Sequence, residues 1–226
     1  VFSVTTLNVI LQMVLADLER RGQSALVVVQ RGEVRRAVHV ADGQLLAVES
    51  NLKAERLGDM LAGEGLLDPV LIEPVAAEAA KHGKLLGDQL VIDGLLTPSD
   101  LAAALERQVF FRLGSALSMR GVVRVEPAKT ILPVLRVPLS SGLLTAFRHW
   151  VSLPAIESHL EDEDRPRRAL DVTTSAFQRL ELGPAELRFS RRLAAGETLQ
   201  AVLDSGAPRE PVLRLAGALS AVGLWG

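Results

Sequence analysis

The 226-residue sequence contains no cysteine, which excludes disulfides and thiolate metal sites together. A reducing compartment fits that absence. Long apolar runs are missing as well. Stretches such as Ala25–Val29 fall far short of the roughly 20 residues that span a bilayer, so no membrane span is expected. Val1–Asn8 has neither the basic start nor the small-residue cleavage site of a signal peptide, and the chain reads as soluble and cytoplasmic. Charge of one sign is also lacking. Twenty-five Lys and Arg against 27 Asp and Glu leave a net charge of −2, with no general pull toward nucleic acid or anionic lipid.

Catalytic signatures are equally scarce. There is no Gly-rich phosphate loop ending in Lys-Ser/Thr and no Gly-x-Ser-x-Gly elbow. Ser115 follows Gly114 in a helical stretch, where a packing role outweighs a nucleophilic one. His39, His82, His149 and His159 include no i, i+4 pair of the kind that holds a helical metal. His159, with Glu157, Glu161 and Asp162 beside it, reads as a solvated helix end before it reads as a metal site. His39 reads as a partly exposed strand residue within reach of Asp42 or Glu33. No acid, base and nucleophile converge, so no enzyme, catalytic residue, metal or cofactor is assigned.

What is present is ordinary globular material, 48% hydrophobic and 23% charged. Thr5 or Thr6 can cap a first helix whose Leu7, Ile10, Leu11, Val14 and Leu18 recur at helical spacing, with Arg20, Arg21 and Gly22 closing it. A meander follows over 25–50: Ala25–Arg31 turns at Gly32 into Val34–Val40, which turns at Asp42-Gly43 into Gln44–Glu49. Arg31, Arg35 and Arg36 read as a basic, solvated strand edge.

The stretch 57–69 then recurs at 86–98. Eight of these thirteen positions are identical at an offset of 29 residues, which marks an internal repeat. Each copy is a short helix ended by a glycine suited to positive φ, Gly65 or Gly94. A Leu-Leu pair then docks into the core, and Asp68 or Thr97 caps a second helix with proline in its first turn. Two such helical hairpins, within 52–120, stack as a four-helix unit. The alternating segment 121–127 is expected to return to the sheet. Pro127–Ser141 reads as a crossing connection, and Gly142–Trp150 and Pro154–Leu160 read as short helices. Residues 161–168, acidic then basic, form a charged hinge. Beyond it a brief strand and three helices, Pro184–Leu193, Glu197–Ser205 and Glu210–Val222, suggest a winged-helix-like unit.

The helix, the meander with Asp42-Gly43 and the following Arg56-Leu57-Gly58 resemble, over residues 1–150, the PATAN domains of bacterial signalling proteins. The repeat resembles the N-terminal domain of type II secretion and pilus assembly ATPases, whose best-known members bind cyclic di-GMP. That likeness implies a nucleotide site using Arg56, Gly58, Gly87 and Gln108. Neither copy carries the whole motif: Leu85 stands where the second arginine belongs, and Ala79 where the first glutamine does. The C-terminal segment 182–223, with Pro184, Glu186, Gly196, Thr198, Leu199 and Leu203, resembles the winged-helix-like module that often follows.

The expected architecture is therefore α+β, divided into 1–150, a linker over 151–168 and a helical module over 169–226. The expected function is non-catalytic signalling or scaffolding through a protein partner, with homo-oligomerisation open. The alternatives are a cyclic di-GMP-type sensor and a DNA-binding regulator. DNA is disfavoured, because the candidate recognition helix offers only Arg209 and Arg214 against Glu210, with Arg188, Arg191 and Arg192 on the helix before it.

Overall fold

The computed structural model describes residues 7–161 and 170–225. Asn8 opens α1 (Val9–Arg21): its side chain accepts from the Leu11 amide, and Gly22 ends the helix in the left-handed conformation. Thr5 and Thr6, the expected caps, lie outside the described residues, as does most of the charged hinge. The meander forms as read, with β1 (Ala25–Arg31), β2 (Val34–Ala41) and β3 (Gln44–Ser50). A single 3-10 turn, Lys53–Glu55, then leads into four helices: α2 (Leu57–Gly63), α3 (Pro69–Lys81), α4 (Leu86–Ile92) and α5 (Pro98–Leu117).

β4 (Val122–Glu126) returns to pair with β1. The segment 127–136 then crosses from that edge to the other, where β5 (Val137–Pro138) pairs with β3. The resulting antiparallel sheet has the order β4-β1-β2-β3-β5, which together with the helices makes the fold α+β. Alternation divides its faces. Val27, Val29, Val38, Val40, Leu45 and Val48 enter the main core, while Leu26, Val28 and Ala37 are buried as a separate cluster.

The helices α6 (Leu139–His149), α7 (Leu153–Leu160), α8 (Ser175–Gln178), α9 (Pro184–Ala194), α10 (Leu199–Asp204) and α11 (Arg209–Ala221) complete the chain. No strand precedes α9 between the described residues 170 and 183. These C-terminal helices share the main core rather than closing around one of their own: α11 packs on α6 and α7, and Gly217 lets it approach Phe147 and Ile156 closely. The expected linker over 151–168 contributes Val151, Ala155, Ile156 and Leu160 to that same apolar cluster, which continues into both flanking parts. α6 in turn begins against α1, where the Glu19 carboxylate accepts from Ser140 N at 2.6 Å and Ser140 Oγ at 2.7 Å.

The repeat folds as two matching hairpins. Gly65 and Gly94 have φ of 72° and 69°, and after each glycine two amides fold back onto one carbonyl, that of Leu61 or Leu90. Asp68 caps α3 and Thr97 caps α5, each ahead of a proline. The Thr97 hydroxyl and amide both donate to Asp100, holding its carboxyl below the usual carboxylate range.

The pairing between copies is reciprocal. A Cβ on Gly58 would meet Ile72 and Leu86 at 3.0 Å; one on Gly87 would meet Leu101 at 2.8 Å and Leu57 at 3.4 Å. Under the 29-residue offset these neighbours exchange, so an approximate two-fold axis relates the hairpins. Leu61, Leu67, Val75, Leu90 and Ala104 form their small core. The Leu-Leu pairs do not dock whole: Leu66 is 52% exposed and Leu95 38%, and only the second leucine of each pair joins the core. A chain leaving a left-handed glycine places consecutive side chains on opposite sides, and one side is solvent. Leu90→Ala is therefore expected to cost about 2–5 kcal/mol in urea denaturation, whereas Leu66→Ala stays within about 0.5 kcal/mol.

Candidate functional site

The sequence places its chemistry in the helical repeat, and the repeat meets the sheet through polar side chains. Arg36 belongs to the same face of β2 as Val34, Val38 and Val40, because strand side chains alternate with period two. It is 6% exposed, buried inside a five-stranded sheet, and β2 is a central strand. The expectation of a solvated basic edge is thus corrected for Arg36. Glu55, 4% exposed at the end of the 3-10 turn, receives it through both carboxylate oxygens: Arg36 Nε lies 3.1 Å from Oε2, and Nη2 pairs with Oε1.

The main-chain carbonyl of the same residue is equally occupied. It accepts from Gln108 Nε2 at 2.9 Å and from Arg112 Nη2 at 2.7 Å and Nε at 3.2 Å. Arg112 Nη1 reaches across to the Val48 carbonyl at 2.9 Å. Burial pushes the Arg112 guanidinium down from its ordinary range, and the charges of Glu55 and Glu49 oppose that shift. One guanidinium on the Glu55 carboxylate and a second on its carbonyl thus tie α5, β2, β3 and the 3-10 turn together. The site is a structural joint, with every donor directed inward.

This fixes where the four candidate nucleotide residues stand. Gln108 is buried and its amide is engaged by Glu55. Gly58 and Gly87 are contact points between helices, with leucine and isoleucine side chains where a ligand would need room. Arg56 is exposed at the start of α2. Space near the repeat lies elsewhere. A shallow groove of about 480 Å³ runs along α4 and α5, lined by Val91, Ile92, Pro98, Leu101 and Leu105 with Asp88 at its rim. The groove residue Ile92 is 57% exposed, and elsewhere the repeat exposes Leu85 at 76% and, on the first hairpin, Val70 at 76%.

The remaining candidates move from surface to interior. His39 is 2% exposed rather than partly exposed, with Nε2 at 3.0 Å from Glu49 Oε1, not beside Asp42 or Glu33. His159, expected at a solvated helix end, is 9% exposed and lies 3.2 Å from Ser220 Oγ. No group of three or more metal-ligating side chains gathers among the described residues.

The helix read as a DNA recognition element, α11, is largely interior, with Val212, Leu213, Leu215, Ala216, Ala218, Leu219 and Ala221 buried. Its arginines bond within the molecule, Arg209 in an exposed pair. Arg209 pairs with Glu157 at 3.0 Å, and Arg214 donates to the Phe147 and Val151 carbonyls. Arg192 is held by Glu197 and Ser205. No helix among the described residues is long and apolar enough to cross a membrane. Comparison with family models, curated proteins and solved structures finds no match to this chain.

Sequence reasoning missed the Arg36–Glu55 pair, although one signal was available: Arg36 falls on the apolar parity of β2. Removing Glu55 leaves a guanidinium buried without its counter-ion, so Glu55→Ala is expected to destabilise by about 3–5 kcal/mol. The double variant Arg36→Met/Glu55→Leu removes both charges and should recover most of that loss. A double-mutant cycle in urea measures both.

Proposed function

We propose that this chain is a non-catalytic signalling or scaffolding module, in keeping with its PATAN-like sequence pattern, and that it acts on a protein partner through the outer face of its helical repeat. One observation carries the reading. Of the twelve large apolar side chains exposed among the described residues, six lie in the repeat: Leu66, Val70, Leu71, Leu85, Ile92 and Leu95. The repeat, 57–117, occupies a little over a quarter of the chain, so half of the exposed set is well above its share. Scattered exposed leucines need no explanation, but six within thirty residues, one of them lining an apolar groove, support a contact surface. Helical hairpins with exposed apolar anchors suit an amphipathic partner segment.

The nucleotide-sensor alternative draws less support. It needs Gln108 and the two glycines free for a ligand, and their side chains or surroundings are already engaged. The DNA alternative needs an exposed basic helix, and the arginines of α11 are paired internally.

Leu85→Lys and Ile92→Lys, combined, are expected to abolish partner capture in cells of the native organism while the thermal midpoint stays within about 2 °C of wild type, as exposed substitutions allow. Quantitative proximity labelling of wild type and variant measures the first, calorimetry the second. An unchanged partner set would remove the repeat from the contact surface.

A further inference from the structure

The antiparallel sheet ends in two edges of unlike character. At one, β5 is only Val137–Pro138, and the proline has no N–H to offer. Short strands and prolines are devices that keep a sheet edge from pairing further. At the other edge, Val122–Glu126 of β4 runs in unbroken register against β1, without proline or bulge. Val122 is 65% exposed and Val125 55%, so this edge carries apolar side chains into solvent.

The register fixes which backbone groups of β4 are open. Arg31 and Val34 flank a two-residue turn, and such a pair exchanges both main-chain hydrogen bonds. Bonding direction alternates along a strand, so the odd-numbered residues of β1 bond to β2 and the even-numbered ones to β4. Val122, Arg124 and Glu126 therefore bond to Gln30, Val28 and Leu26. Val123 and Val125 direct their N–H and C=O away from the sheet, where no main-chain partner meets them among the described residues.

The side chains specify what fits there. Arg124 and Glu126 share one face of β4, with Val125 between them on the other. In an antiparallel pair of β4 strands with its two-fold axis at Val125, each Arg124 stands opposite the other copy's Glu126. The two Val125 residues then exchange main-chain hydrogen bonds and cover each other's side chains. Each Val123 N–H meets the other copy's Pro127 carbonyl, which needs no N–H in return. Moving the axis to Arg124 offers as many main-chain bonds but sets Arg124 against Arg124, and like charges directly opposite are destabilising. Charge thus selects one register. Both groups are free for it: Arg124 is held only by the neutral Gln30 side chain at 2.6 Å, and Glu126 has no ion-pair partner among the described residues.

We propose that two copies of this chain join at their β4 edges into one continuous antiparallel sheet, in the register that sets Arg124 opposite Glu126. An edge of this length makes a small interface, so the dimer is weak and reversible. No residue of the helical repeat takes part, and the contact is independent of the partner-binding face.

Sedimentation equilibrium of the full chain, from about 5 to 500 µM, tests this, and the wild-type dimer constant is expected to fall within that range. Arg124→Glu and Glu126→Arg, each alone, set like charges opposite and should weaken the dimer by about tenfold or more. Mixed in equal amounts, the two variants restore both opposite-charge pairs and should associate with each other about as well as wild type. The Leu85→Lys/Ile92→Lys variant should dimerise unchanged. The proposal is overturned if wild type stays monomeric throughout, or if either charge reversal dimerises like wild type. It is equally overturned if the mixture associates no better than its components, or if the repeat variant loses the dimer.

Discussion

Glu55 holds the molecule's two halves together. Its carboxylate faces Arg36 in the sheet, and its carbonyl holds Gln108 and Arg112 of the longest helix. Charges removed from water are costly unless each finds its partners, and this set is closed: every donor reaches an oxygen or the Met119 sulfur. The location follows from α5. Its N-terminal half contributes Ala104 to the repeat's core, and its C-terminal half contributes Val109, Phe110, Leu113 and Leu117 to the main core. Gln108 and Arg112 fall where one core ends and the other begins. A wholly apolar seam could slide, whereas bidentate pairing of a planar guanidinium has one geometry.

The repeat on the far side of that joint is small, with five fully buried apolar residues and the reciprocal glycine contacts as its main cohesion. Its two copies agree where they face one another and differ at several positions that face water. Leu57, Gly58 and Leu61 match Leu86, Gly87 and Leu90, all at the mutual contact. On the outside, Leu85 and Ile92 of the second copy replace Arg56 and Gly63 of the first, and Val70 and Leu71 of the first become Ser99 and Asp100. The internal symmetry is thus broken at the surface, giving each hairpin its own outward chemistry. A scaffold with a symmetric core and an asymmetric exterior suits binding of a single partner in one orientation.

The parts of the fold that were legible in the sequence are those encoded by neighbours in the chain. Alternation and Asp42-Gly43 placed the meander, and the 29-residue offset placed four helices and the two left-handed glycines. The crossing of segment 127–136 followed from prolines between β-prone stretches. The misreadings at Arg36, His39 and α11 share a cause: each concerned burial decided by a distant partner. Arg36 needs Glu55, His39 lies under a sheet face closed from elsewhere, and α11 is interior because α6 and α7 lie against it. Charge on a short helix looks the same in sequence whether it faces DNA or a carbonyl such as that of Phe147. The four candidate nucleotide residues lie in or beside the repeat, and their motif is also what close helix packing requires.

The central claim is that the repeat is a distinct body pinned to the sheet at Glu55. Native-state hydrogen exchange in rising denaturant measures this most directly, because it resolves opening free energies segment by segment. The account predicts that amides of α2, α3 and α4 open together at a lower free energy than those of β1, β2 and α11. Exchange of all these segments in one global event, with no separate opening of the repeat, would contradict it.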